Sequence, residues 1–172
     1  MTTVVNEPVA QIIPEGTWAV DPVHSSVAFR VADLTQAFTF VNGRFTDVEG
    51  TIVVGADPGD VSLEGIIRVA SVTTGQEQRD AHLRSPDFFD AANHPEIRFE
   101  ADRVGLEGGR LTIPGTLVIK GADFPVELSA RVLGAGTDVQ GREKLVLSSG
   151  GELAWGPQKV TLDLSATLVK EG

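Results

Sequence analysis

The sequence contains no cysteine and no tyrosine. Without cysteine there is no disulfide, no thiolate zinc ligand and no thiol nucleophile. Histidine is scarce: His24, His82 and His94 are the whole supply. They fall in three separate stretches, with no His-x-His or His-x3-His pair, so no metal site is expected. No apolar run approaches the ~20 residues that a bilayer-spanning helix needs, so stable membrane insertion is not expected. Met1 to Pro14 carries no Lys or Arg, and the first basic residue is Arg30. A secretory signal needs a positive start and a longer apolar block, so the expected location is cytoplasmic. Positive charge is also in short supply: 14 Lys and Arg against 24 Asp and Glu give a formal net charge of -10. That argues against nucleic acid and anionic membrane as electrostatic partners and otherwise serves solubility.

Catalytic signatures are missing too. His24 stands beside Ser25, but no Gly-x-Ser-x-Gly turn exists, and a capping role at a strand start fits better. No glycine-rich loop has P-loop or dinucleotide-binding spacing. No catalytic residue and no cofactor is therefore expected.

What the chain has is alternation. In 158–170, Val160, Leu162, Leu164, Ala166 and Leu168 fall on one face, and Lys159, Thr161, Asp163, Ser165 and Thr167 on the other. Successive side chains of a strand point to opposite sides, so this is a strand with one dry and one wet face. The same period runs through Val27/Phe29/Val31, Val61/Leu63/Gly65/Ile67/Val69 and Ile97/Phe99/Ala101. It returns in Leu111/Ile113/Gly115/Leu117/Ile119 and Phe124/Val126/Leu128/Ala130/Val132. Turn residues separate the runs, as in Asp57-Pro58-Gly59-Asp60 and Gly121-Ala122-Asp123. The 172 residues fit one domain: a tail over 1–15, then an all-β, single closed antiparallel barrel of about eight strands over 16–172. About eight strands is the size at which a closed barrel holds packed side chains or one slender ligand. Gly43, Gly50, Gly65 and Gly115 interrupt the runs, and the preferred reading is curvature, with ligand clearance second.

One stretch, 73–90, breaks the period. Thr74 and Glu77 have capping-box spacing, so a short helix should start near Gly75. Asp80 and Arg84 stand at i,i+4 and can pair. Ser85-Pro86 should end the helix and open a further turn. Leu83 is its only large apolar residue, so specific polar contacts or the docking of Phe88 and Phe89 must hold it, across one barrel end. Arg79 and His82 share a helix face. Two readings stand, a gate that meets a ligand headgroup and an anchor to the barrel rim, and the anchor is preferred.

The string TTGQEQRDAHLRSPDFFDAANHPEIRFEA, with WAVDPVHSSVAFRV at 18–31 and GRLTIPGTLVIKGADFPVEL at 109–128, closely resembles the YceI-like family of polyisoprenoid-binding proteins. The chain departs from the family pattern at Ala32-Asp33-Leu34 and again in SSGGELAWGPQKV, where only Trp155-Gly156 echoes it. The resemblance implies a lipocalin-like barrel that binds, stores or transports a long isoprenoid-type lipid, such as a quinone or prenyl phosphate. The expected partner is thus a hydrophobic small molecule; a homodimer is left open. A narrow tunnel of aliphatic and phenylalanine walls suits such a chain, and the sequence has eight Phe. The candidate wall residues are Phe29, Val31, Phe38, Phe40, Phe45, Ile113, Leu117, Leu162 and Leu164, with Arg79 and His82 as headgroup candidates. Two rival readings are an enzyme or metabolic accessory using the same pocket, and a structural barrel with a filled interior.

Overall fold

The computed structural model describes residues 8–33, 39–57, 60–155 and 158–171. Its strands are β1 (Gly16–Val20), β2 (Ser26–Asp33), β3 (Thr39–Phe45), β4 (Val48–Val54), β5 (Val61–Arg68) and β6 (Val72–Thr73). A helix, α1 (Glu77–Arg84), follows, and then β7 (Glu96–Ala101), β8 (Gly105–Glu107), β9 (Arg110–Ile119), β10 (Ala122–Thr137), β11 (Glu143–Trp155) and β12 (Gln158–Lys170). Among the described residues, eight strands close a ring, β1-β4-β5-β7-β9-β10-β11-β12 and back to β1, all antiparallel. Closure leaves that ring no open side to its sheet.

Beyond Val20 the chain breaks at Asp21–Ser25 and resumes as β2, which pairs with the first half of β12 and with β3. Polar contacts organise this joint. The Asp21 carboxylate accepts from the Val23 amide at 2.9 Å and meets His24 Nδ1 at 2.8 Å. Ser25 Oγ accepts from the Thr167 amide at 3.0 Å. Both His24 and Ser25 are thus committed to the joint, and neither bonds the other.

Register fixes which ends share a level. Leu145 opposes Leu168, Trp18 opposes Ile52, and Leu106 opposes Leu111. These residues build a floor in which Trp18, Leu106, Leu111 and Leu168 are no more than 2% exposed. The stretch 1–15, expected as a tail, contributes to this core from Pro8 onward. A short 3-10 turn over Val9–Gln11 buries Val9, Ile13 is buried as well, and Trp18 Nε1 donates to the Pro14 carbonyl at 2.8 Å. Two large apolar residues reaching a barrel end are enough to hold such a segment down. The opposite end, where β11 turns into β12 and β9 into β10, carries α1 and the chain that follows it. No described helix is long and apolar enough to cross a membrane.

Candidate ligand site

Above the floor the inward rows do not meet. They enclose a cavity of about 950 Å³, near the top of the ~300–1,000 Å³ range of small-molecule sites. A purely structural barrel would have filled this space. Phe29, Val31 and Phe45 line it from β2 and β3, Ile113 and Leu117 from β9, and Leu162 and Leu164 from β12. Leu162 and Leu164 are only half-buried although they face inward, because the space before them is open.

Phe40 differs. It opposes Ala32 on the outward row, is 60% exposed, and lays its ring 5.4 Å from the Arg30 guanidinium carbon. Its parity is opposite to that of Phe45 and Val41, so it reaches the cavity only at its rim. Phe38 lies outside the described residues.

Wall residues that the sequence reading did not single out include Phe99, Leu128, Leu147, Leu153 and Trp155. Those on β7 and β10 lie in clear alternating runs; β11 shows no such run. Its inward row, Leu145, Leu147, Ser149, Gly151, Leu153 and Trp155, is diluted by Ser and Gly, which hides the period. Trp155 completes an aromatic chain across the cavity mouth. Phe29–Phe45, Phe45–Phe89, Phe89–Trp155 and Trp155–Phe124 have ring centroids 5.4, 5.7, 5.2 and 6.0 Å apart, the separations at which aromatic pairs attract.

Phe89 arrives there from the segment after α1. That helix starts at Glu77, with Gln76 as its cap residue and no side-chain cap bond, so the expected capping box does not form. Gly75, at φ +82°, turns the chain just before it. The reciprocal contact comes from one turn deeper. Buried Asp80 accepts from the Thr74 amide at 2.8 Å and from the Thr74 hydroxyl at 2.5 Å. Asp80 and Arg84 make no direct contact, because the Asp80 carboxylate is turned to Thr74, although the Arg84 charge still acts on it; Arg84 meets Glu77 at 3.1 Å.

Arg79 donates through Nε to the Thr74 hydroxyl at 2.9 Å and through Nη2 to the Thr74 carbonyl at 3.2 Å. The Thr74 hydrogen bonds, with the positive charges of Arg84 and Arg79, hold the Asp80 carboxyl below the usual carboxylate value against the opposing effect of burial. Ser85 ends the helix, and its carbonyl accepts from the amides of Phe88 and Asp90 in the tight turn that follows. Lys120 Nζ donates to the Pro86 carbonyl at 2.8 Å, tying this turn to the β9–β10 hairpin.

Arg79 and His82 both line the cavity on its α1 side. His82 is more than half exposed, with Nε2 3.2 Å from Asp87 and the Phe88 ring edge-on at 4.8 Å. The mouth thus offers an arginine, a histidine and two glutamines, Gln76 and Gln158, above an apolar shaft. Among the described residues no three His, Asp or Glu side chains converge as metal ligands.

Comparison with known proteins agrees with this geometry. The model of the YceI-like domain matches residues 18–167. Protein YceI of Salmonella newport is 32% identical over 142 residues, which cover 82% of this chain and 73% of that protein. Among solved structures, BcnA of Burkholderia cenocepacia superposes with a TM-score of 0.69 at 19% identity, over 86% of this chain and 98% of that one. A Saccharophagus degradans domain described as polyisoprenoid-binding, and implicated in plant cell wall breakdown, gives 0.64 at 15% identity over 90% and 98% of the two chains. At those identities the two structures speak for the fold.

Proposed function

This chain belongs to the YceI-like family, and from that premise we propose that it is a non-catalytic carrier that binds a long isoprenoid-type lipid inside its barrel. The observation that carries the reading is the apolar cavity of about 950 Å³ above a sealed floor. Burying ~300 Å² of lipid tail at ~25 cal/mol per Å² is worth roughly 7–8 kcal/mol before the costs of binding. Phe29, Val31, Phe45, Ile113, Leu117, Leu162 and Leu164 form the tail wall in this reading, and Phe40 its rim. Arg79 and His82 stand where a headgroup would emerge. The prior commitment of Arg79 to Thr74 supports anchoring as its main task.

Native mass spectrometry of the purified protein, followed by organic extraction, tests the proposal. A co-purifying prenyl lipid, or stoichiometric uptake of added solanesol, is the expected result. A product turned over in the pocket would favour the enzyme reading instead. A protein that neither carries nor takes up such a lipid would overturn the assignment. Leu162→Trp should abolish solanesol uptake while the fold survives, at an overpacking cost of ~1–3 kcal/mol.

A further inference from the structure

Above the floor, five of the described strands carry a glycine on their inward rows: Gly43, Gly50, Gly65, Gly115 and Gly151. Two of them lie beneath phenylalanine rings. A Cβ at Gly43 would stand 2.4 Å from Cζ of Phe29 and 2.9 and 3.0 Å from its two Cε atoms. A Cβ at Gly115 would stand 2.5 Å from Cζ and 2.6 Å from Cε2 of Phe99. Carbon atoms pack at about 3.5–4.0 Å, so no side chain larger than hydrogen fits under either ring as it lies. Phe29 is the direct cross-strand partner of Gly43. Phe99 opposes Gly65 on one side and Leu117 on the other, with Gly115 two residues along the same face. Gly50 and Gly65 line the cavity with no ring over them, Gly50 beside the Val20 side chain.

We infer that Gly43 and Gly115 set the bore of the lumen. Each is a recess in the wall that receives the tip of a phenyl ring and so keeps it out of the path of a chain running down the axis. Filling a recess leaves its ring one direction to go, because the neighbouring wall is packed and the lumen is open. Phe29 follows Val31 on the inward row of β2 going down from the mouth, so a displaced ring closes the upper shaft. The residues therefore select by reach. A long flexible chain that must pass Phe29 is excluded, whereas a short one that ends near the mouth is less affected. This inference rests on the lipid-carrier reading for its ligand but not for its geometry.

Gly43→Ala is the cleaner test, because the three atoms nearest the added one all belong to the Phe29 ring; at Gly115 the Glu100 carbonyl oxygen also lies 2.8 Å from the added atom. Gly43→Ala should weaken solanesol binding roughly tenfold or more and farnesol binding much less. Adding Phe29→Leu, which removes the displaced ring, should restore solanesol binding. Wild-type solanesol affinity in folded Gly43→Ala would overturn the inference. Should Gly43→Ala alone not fold, the double variant decides: wild-type binding supports the recess, and lost binding overturns it. A wild-type protein that takes up neither prenol sinks the carrier reading instead. The recess is then judged by the crystal structure of Gly43→Ala, where a Phe29 ring in the lumen supports it and a ring still against the wall overturns it.

Discussion

At the floor, β11 and β12 present Leu145 and Leu168 to each other, both no more than 2% exposed. Four residues higher the same two strands oppose Ser149 and Leu164, half-buried and beside the cavity. Backbone geometry and alternation are the same at both levels; side-chain volume differs. The floor receives Trp18, Leu106 and Leu111 together with Val9 and Ile13 from outside the ring, and it packs solid. The shaft receives glycine on five strands and serine on β11, and it stays open. An eight-stranded barrel can close over its own side chains or over a ligand, and here one barrel does the first at one end and the second above it. The floor supplies stability and the shaft supplies room.

Truncations should separate the two levels. Trp18→Ala removes the largest floor side chain and its bond to Pro14, and should cost about 3–5 kcal/mol in chemical denaturation. Leu111→Ala or Leu168→Ala should cost about 2–5 kcal/mol. Leu162→Ala in the shaft should cost about 1 kcal/mol or less, because on its cavity side the side chain has no protein atoms to lose. Equal losses at Leu168 and Leu162 would show the shaft to be packed as tightly as the floor, and the distinction would collapse.

The lid at the mouth is a third kind of structure, held by polar contacts. Arg79→Ala removes two bonds to Thr74 and should lower stability by roughly 1–2 kcal/mol, while affinity for solanesol stays nearly unchanged. If instead the melting temperature stays put and only a prenyl phosphate loses affinity, Arg79 is a gate. Asp80 adds a pH signature. Its carboxyl is held below the ordinary value, so its contribution is complete above that value and fades as pH falls through the lower folded one. Asp80→Asn should therefore melt below the parent at neutral pH, and the gap should close in strong acid. A gap that persists there would mean that the hydrogen bonds to Thr74 do not depend on the charge.

How much of this was legible follows from what alternation records. On β10 and β12 the inward residues are continuous apolar rows, on β9 Gly115 alone interrupts one, and reading every second residue places Ile113, Leu117, Leu162 and Leu164 on the cavity side. On β11, Ser149 and Gly151 interrupt the row, and the strand is invisible to the same test. Phe40 was placed in the wall by its chemistry, although its parity with Ala32 turns it outward. Gly43 and Gly115 read as bends, because a sequence shows an absent side chain but not the ring of another strand that lies in the gap. The lid was legible as a polar helix needing outside support. Which carboxylate supplied that support, Asp80 rather than Glu77, depended on how Gly75 turns the chain.

The smallest expected effect lies beyond the floor, in the turn that joins β10 to β11. Asp138 accepts from the Arg142 amide, Arg142 Nε and the Gln140 amide, each at 2.9 Å, with Lys144 Nζ at 3.4 Å. The Arg142 amide foremost, then the Arg142 side chain and the Gln140 amide, lower its carboxyl to about 2. A group with a lowered folded value stabilises above the unfolded value of ~3.9 and loses that contribution as pH falls through the folded one. The window is therefore from about 4 down to about 2, a range in which Asp138 remains largely charged while ordinary carboxylates are being neutralised. Asp138→Asn should lower the melting temperature slightly at neutral pH, less than any floor or lid variant, because the turn is mostly exposed. The difference from the parent should shrink between about pH 4 and about pH 2, and solanesol uptake should not change. A difference already gone by pH 4 would mean that the turn does not hold the carboxylate as tightly as its three short hydrogen bonds imply.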